Sequence, residues 1–215
     1  MNMKMVKYED IRKEMKAGDV IAFGGKGELS NIIKIATRSG VSHIGVILQS
    51  QLRDDDEDRF FNQIIESTSL DGREGVQISR MSDRIRAYDG ELWWLPRDDT
   101  LPFDQKKFFN FLFAQDGKKY DLIQALKAGV DLLDRLKITR NTEDFDKLFC
   151  SELVAGGLEA AGTVGEINAS EVTPIDLCRW RIYEKTYYQL ESGKGLGSVK
   201  TISRYNTANP ADWNV

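Results

Sequence analysis

The 215-residue chain has one histidine, two cysteines and four prolines. Two cysteines cannot build a disulfide scaffold at this length. A structural zinc centre would need both of them, the histidine and a carboxylate, and no CxxC or HxxxH spacing starts one. Neither a metal nor an organic cofactor is therefore expected. Long hydrophobic runs are missing too, since none approaches the ~20 apolar residues that cross a bilayer. Nor is there a basic excess. Thirty Lys+Arg against 34 Asp+Glu give a formal charge of -4, which leaves no surplus to neutralise a phosphate backbone and argues against nucleic acid as a partner. Residues 1–16 carry Lys4, Lys7, Glu9, Asp10, Arg12, Lys13, Glu14 and Lys16 without an apolar h-region. No secretory signal is read there, so the expected location is the cytoplasm.

What is present fits a globular domain. Hydrophobic residues make up 41% of the chain and charged residues 30%, enough for a core beneath a solvated surface. No repeat and no long linker divides residues 1–215, so a single domain is expected. Periodicity predicts a short helix over 8–17 with Tyr8, Ile11 and Met15 on one side, then a strand over 19–23. A helix is expected over 28–39. Strands follow at 42–50, 59–68, 75–79 and 91–96, the first two joined by the acidic run Asp54 to Asp58. Ser82 is placed to cap a helical turn over 83–87. The Trp93-Trp94 pair divides between the two faces of its strand.

After Pro102 the pattern turns helical. Phe108, Phe109, Leu112 and Phe113 form a stripe on 103–115 that reads as core, and Leu122, Leu126, Val130 and Leu133 form another on 121–136. A polar connection at 137–147 leads to a third helix, Cys150 to Ala161, ended by Gly162. A strand-like stretch over 180–189 precedes a polar tail. The fold class is α+β, a central antiparallel sheet with helices packed beside it.

Chemistry points first to Cys150. It opens a helix, where unpaired N–H groups and the macrodipole favour a thiolate and can face an oxyanion. The competing reading is a packed, inert helical cysteine. Cys178 has no comparable position and reads as core. Any Cys/His pair must use His43, near the start of a strand, where a merely hydrogen-bonded structural histidine is the alternative. A hairpin register pairing Ile44 with Ile65 and Leu48 with Phe61 places His43 opposite Glu66. A carboxylate there would orient the ring and stabilise its cation.

Taken in order, Gly18-Asp19-Val20-Ile21, Ser42-His43-Ile44-Gly45-Val46, Ile65-Glu66-Ser67, Gly75-Val76-Gln77-Ile78, Tyr120-Asp121, Phe149-Cys150-Ser151-Glu152-Leu153-Val154 and Thr173-Pro174 resemble the circularly permuted NlpC-type papain-like proteins, their YiiX/YaeF-like branch above all. The resemblance covers about residues 17–180. It implies a papain-like fold and a thiol hydrolase, a cysteine peptidase or amidase, in which Cys150 is the nucleophile, His43 the general base and Glu66 its orienter. Tyr120 matches a family tyrosine near the cleft, an implied substrate or oxyanion contact; a half-buried aromatic before a helix is the other reading. Implied substrates are peptides, cell-wall fragments or acyl lipids, the wall substrate requiring a phage-encoded or lysis-released setting. The same arrangement resembles lecithin–retinol acyltransferase-like enzymes, which leaves a lipid acyltransferase as the alternative, and a non-catalytic binding module as another. The 137–147 insertion and the tail after 180 depart from the family pattern.

Overall fold

Val20 to Phe23 alternate between two apolar clusters, and this alternation defines the layers of the molecule. Val20 and Ala22 belong to one cluster, Ile21 and Phe23 to the other, as the two-residue period of a strand requires. The computed structural model describes residues 2–25, 39–54, 59–70, 72–118 and 149–191. Its strands are β1 (Asn2–Val6), β2 (Val20–Gly25), β3 (His43–Asp54), β4 (Arg59–Leu70), β5 (Arg73–Arg80), β6 (Gly90–Leu95) and β7 (Thr186–Leu190). They form one seven-stranded sheet in the order β1-β7-β6-β2-β3-β4-β5. Neighbours are antiparallel except β1 and β7, which run parallel.

Helices cover both faces. On one lie α3 (Gln105–Phe113), α4 (Phe149–Ala160) and α5 (Pro174–Cys178), which bury Phe108, Leu112, Leu153, Val154, Leu158, Ile175 and Leu177. On the other, α1 (Tyr8–Ile11) and α2 (Met81–Ala87) bury Tyr8, Ile11, Met81 and Ile85. Trp93 joins the first cluster and Trp94 the second. The fold is mixed α+β. Among the described residues no helix is long and apolar enough to cross a membrane.

Local chemistry sets the helix ends. Asp104 caps α3 by accepting from Lys107 N at 3.0 Å, and Thr173 with Asp176 forms a capping box on α5. Gly162, at φ 75°, ends α4, while Thr163 N reaches back to Leu158 O. Gly156 and Gly157 interrupt α4 with residues that weaken a helix by about 1 kcal/mol each. Their reason is α3: a Cβ at Gly156 would lie 2.7 Å from the Phe111 ring, and one at Gly157 would lie 3.0 Å from Leu112.

Several expectations need correction. The helix over 8–17 ends at Ile11; turns follow, although Met15 is still fully buried. Strand β1 has no counterpart in the sequence reading. Ser82 does not cap α2, which begins at Met81 after Arg80, with no side-chain cap. The hairpin register is also different. Ile65 pairs with Val46 rather than Ile44, and Phe61 with Leu52 rather than Leu48: the outermost pair is Asp54 with Arg59, not a turn at Asp54–Asp55, which offsets the tip by four residues, and two register shifts along the hairpin bring the offset down to two at Ile65. Gln51 takes φ 55° within that irregularity, and its N–H donates to Asn62 Oδ1 at 2.9 Å. The expected helix at 121–136, the 137–147 insertion, residues 28–38 of the expected 28–39 helix, Asp55 to Asp58 of the acidic run and the tail beyond 191 lie outside the described residues.

Asp19 joins the turn before β2 to the end of β6. Its buried carboxylate accepts from Lys16 N at 2.8 Å, Trp94 Nε1 at 2.9 Å and Arg97 N at 2.9 Å. Burial pushes its carboxyl up to about 7 against the pull of these donors. Asp19→Ala strands all three, and a buried unsatisfied donor costs about 1–3 kcal/mol. Urea denaturation is expected to show a loss on the order of 3 kcal/mol or more, with a smaller loss for Asp19→Asn, which keeps one acceptor oxygen.

Candidate active site

His43 is the first residue of β3 and pairs with Phe23, the last pair of the β2–β3 ladder. Ser42 holds that entry: its N–H donates to Phe23 O at 2.8 Å, and its Oγ accepts from Gly25 N at 3.2 Å. The His43 ring packs on the Phe23 ring at 5.0 Å between centroids. It is 6% exposed.

Glu66 sits on the adjacent β4. Its Oε2 lies 2.6 Å from His43 Nε2. The expected partnership is present, but the two residues are not directly opposite. The observed pairing of Val46 with Ile65, carried one pair further, brings Gly45 across from Glu66. Slipping by two residues preserves the face, as the strand period demands. Gly45 leaves the diagonal open: a Cβ there would stand 2.7 Å from Ile64 Cδ1 and 3.3 Å from Glu66 Cβ.

Cys150 lies in the first turn of α4, which starts at Phe149. Ser151 Oγ donates to Val172 O and ties this turn to the segment before α5. Cys150 is fully buried and is one of the two neighbours, with Glu66, that push the His43 ring up. With Nε2 committed to Glu66, Nδ1 is the nitrogen open to the thiol. Nδ1 makes no hydrogen bond among the described residues.

A fourth residue completes the cluster, one that the sequence reading did not single out. Arg84 of α2 donates from Nε to Glu66 Oε1 at 2.6 Å and from Nη2 to Oε2 at 3.2 Å. Its guanidinium lies 4.7 Å from the Phe23 ring centroid and 4.9 Å from that of Tyr88. Its signal was a cation inside an apolar stripe, because Met81, Arg84, Ile85 and Tyr88 follow helical spacing. Cys178, by contrast, is buried in the core, where burial pushes its thiol well up. Tyr120 lies outside the described residues. Among the described residues, no group of three or more His, Cys, Asp or Glu side chains is placed to hold a metal ion.

Electrostatics favour charge on both partners of the pair. Burial is the largest influence on His43 and opposes its cation, but Cys150 and Glu66 together outweigh it and raise the ring to about 9. Burial likewise opposes the Glu66 carboxylate, yet Arg84 and His43 hold it down at about 2. The folded value for His43 exceeds its ordinary 6.5, so its stabilising contribution is complete below about 6.5 and is lost as pH rises through about 9. The Glu66 contribution is complete above about 4.5 and is lost as pH falls toward 2. Because the chain has one histidine, NMR titration reads this ring alone. The expected midpoint is about 9, falling in Cys150→Ser; a midpoint near 6.5 in the wild type would contradict the pairing.

No family model matches the chain, and no curated protein matches it. Among solved structures it is similar to the metalloprotein yiiX from Escherichia coli O157:H7, a DUF1105 protein. That likeness has 20% identity and a TM-score of 0.45, covering 70% of this chain and 69% of the other.

Proposed function

We propose that the chain is a thiol hydrolase of the permuted papain-like kind, which cleaves an amide or ester bond through Cys150, His43 and Glu66. The observation that carries the reading is the buried Glu66–His43 hydrogen bond at 2.6 Å, with Cys150 interacting with the same ring from the first turn of α4. The scarcity of these residue types adds weight: the single histidine meets one of only two cysteines.

In this mechanism the thiolate of Cys150 attacks the carbonyl carbon, and the C–O π electrons move onto oxygen. Backbone N–H groups at the start of α4 are the candidate donors to that oxyanion. His43, protonated on both nitrogens, gives its Nδ1 proton to the leaving amine or alkoxide as the C–N or C–O bond breaks. A thioester on Cys150 remains. His43, now neutral at Nδ1, takes a proton from water as its oxygen attacks the thioester, which releases the acid and returns the thiolate–imidazolium pair. Glu66 keeps Nε2 protonated and the ring in place throughout.

The acyl-lipid alternative would use the phenylalanine stripe on 103–115 as an apolar entrance. Phe108 and Leu112 are fully buried against α4, and the outward side keeps the stacked Phe109–Phe113 pair, with Phe113 56% exposed. Most of the stripe is thus spent on packing, which favours an amide or ester substrate recognised by other means. The proposal extends to a cytoplasmic setting and to peptide or cell-wall-fragment substrates.

A panel of peptide amides, D-amino-acid-containing peptides and short and long acyl esters tests the reading. Hydrolysis is expected to fall at least on the order of 10³-fold in Cys150→Ser and in His43→Gln. At neutral pH a small alkylating reagent is expected to modify Cys150 and spare Cys178. Modification of Cys178 alone would remove the nucleophile assignment. Turnover confined to long-chain esters would favour the lipid enzyme, and no turnover anywhere the binding module.

A further inference from the structure

Cys150, His43, Glu66 and Arg84 form a row of groups able to carry alternating charge. We infer that Arg84 is a positioning residue of this site: by clasping Glu66 it frees the single imidazolium to hold the Cys150 thiolate. The inference rests on the thiol-hydrolase reading for its purpose, though not for its geometry.

Glu66 is 1% exposed, and a buried carboxylate is costly unless paired. With His43 as the only cation, two anions would compete for one positive ring. Arg84 brings the row to two cations and two anions. Its clasp is asymmetric. Oε1 receives the short 2.6 Å bond from Nε, and Oε2, 3.2 Å from Nη2, is left turned toward His43 Nε2 at 2.6 Å. Two bonds to a planar guanidinium fix the plane of the carboxylate, which one point charge does not do. The guanidinium is fixed in turn by Phe23 and Tyr88, whose rings meet edge to face at 5.0 Å. Phe23 therefore touches both the arginine and the histidine that share Glu66.

The charged and titratable groups facing Glu66 come from several elements. β3 contributes His43, α2 contributes Arg84, and Cys150 of α4 acts on the His43 ring. Tyr88 follows α2, with Asp89 and Glu91 acting on its phenol. Across β5 the partner is the neutral Gln77, whose amide donates to Thr68 O and Arg73 O. Among the described residues, no cation but His43 and Arg84 acts on Glu66.

The test is the pH dependence of Cys150 alkylation by iodoacetamide in the full chain, read by mass spectrometry of the Cys150 peptide and therefore independent of any substrate. In Arg84→Met the acid limb of that profile is expected to move up by about one pH unit, a roughly tenfold slower reaction on the limb. Arg84→Lys, which restores the charge without the fork, is expected to recover part of the shift. The double variant Glu66→Gln/Arg84→Met removes both the competing anion and its cation, and its limb is expected to return toward the wild-type position. The double variant also keeps the question open to refutation if Arg84→Met alone does not fold. An unmoved limb in a folded Arg84→Met, or a double variant displaced as far as the single, would overturn the inference. A shift that follows this pattern in a chain that hydrolyses nothing would leave Arg84 in its role and remove the hydrolase.

Discussion

Everything near the candidate site depends on keeping one carboxylate charged where water does not reach. Glu66 is held by Arg84 on one side and His43 on the other. Burying an ion costs several kcal/mol, and only good geometry with further hydrogen bonds recovers it. That requirement ties β3, β4 and α2 into one unit. β5 runs antiparallel beside β4 and leads directly into α2, so the hairpin that pairs with Glu66 also delivers its arginine.

Elements with a strong period were legible in the sequence. The strand at Val20, the helices around Phe108 and after Cys150, and the division of Trp93 from Trp94 all follow from side-chain spacing and burial. Other features depend on contacts that spacing does not encode. β1 alternates Met3 and Met5 with Lys4, but five residues with a lysine at the centre resemble a polar leader until β7 is beside them. The hairpin register depends on the backbone of Gln51 and its bond to the Asn62 side chain, a tertiary choice that two alternating strands cannot announce. The N-terminal helix stops at Ile11, and Met15 reaches the core from irregular backbone after the turn at 12–14, which helical spacing does not distinguish from a longer helix.

The site was legible for a chemical reason, scarcity. One histidine and two cysteines leave few pairings, and the helix start separates Cys150 from Cys178. Glu66 was found through a register wrong by two residues, and the error was harmless because an even slip keeps a side chain on its face. Gly45 then supplies the space that the direct pairing would not have needed. Arg84 escaped notice because a seven-residue helix with Asp83 and Arg86 on its exposed side reads as polar, and its inward cation needs a buried anion to explain it. The papain-like reading and the role of Tyr120 stay with the proposal, the latter because that residue is outside the described structure.

The parallel pairing of β1 with β7 has a consequence for how the chain is made. Asn2 is registered against Thr186 and Val6 against Leu190, so one edge of the sheet joins segments separated by most of the sequence. Contacts of such separation form late, because a large loop must close first. During synthesis, which proceeds from the N-terminus, β1 must wait without its partner until β7 has emerged. His43, Glu66 and Arg84 all lie within a single run of strands and one short helix, made well before Cys150. The ribosome thus releases His43, Glu66 and Arg84 as a local set, and Cys150 joins them only when α4 docks.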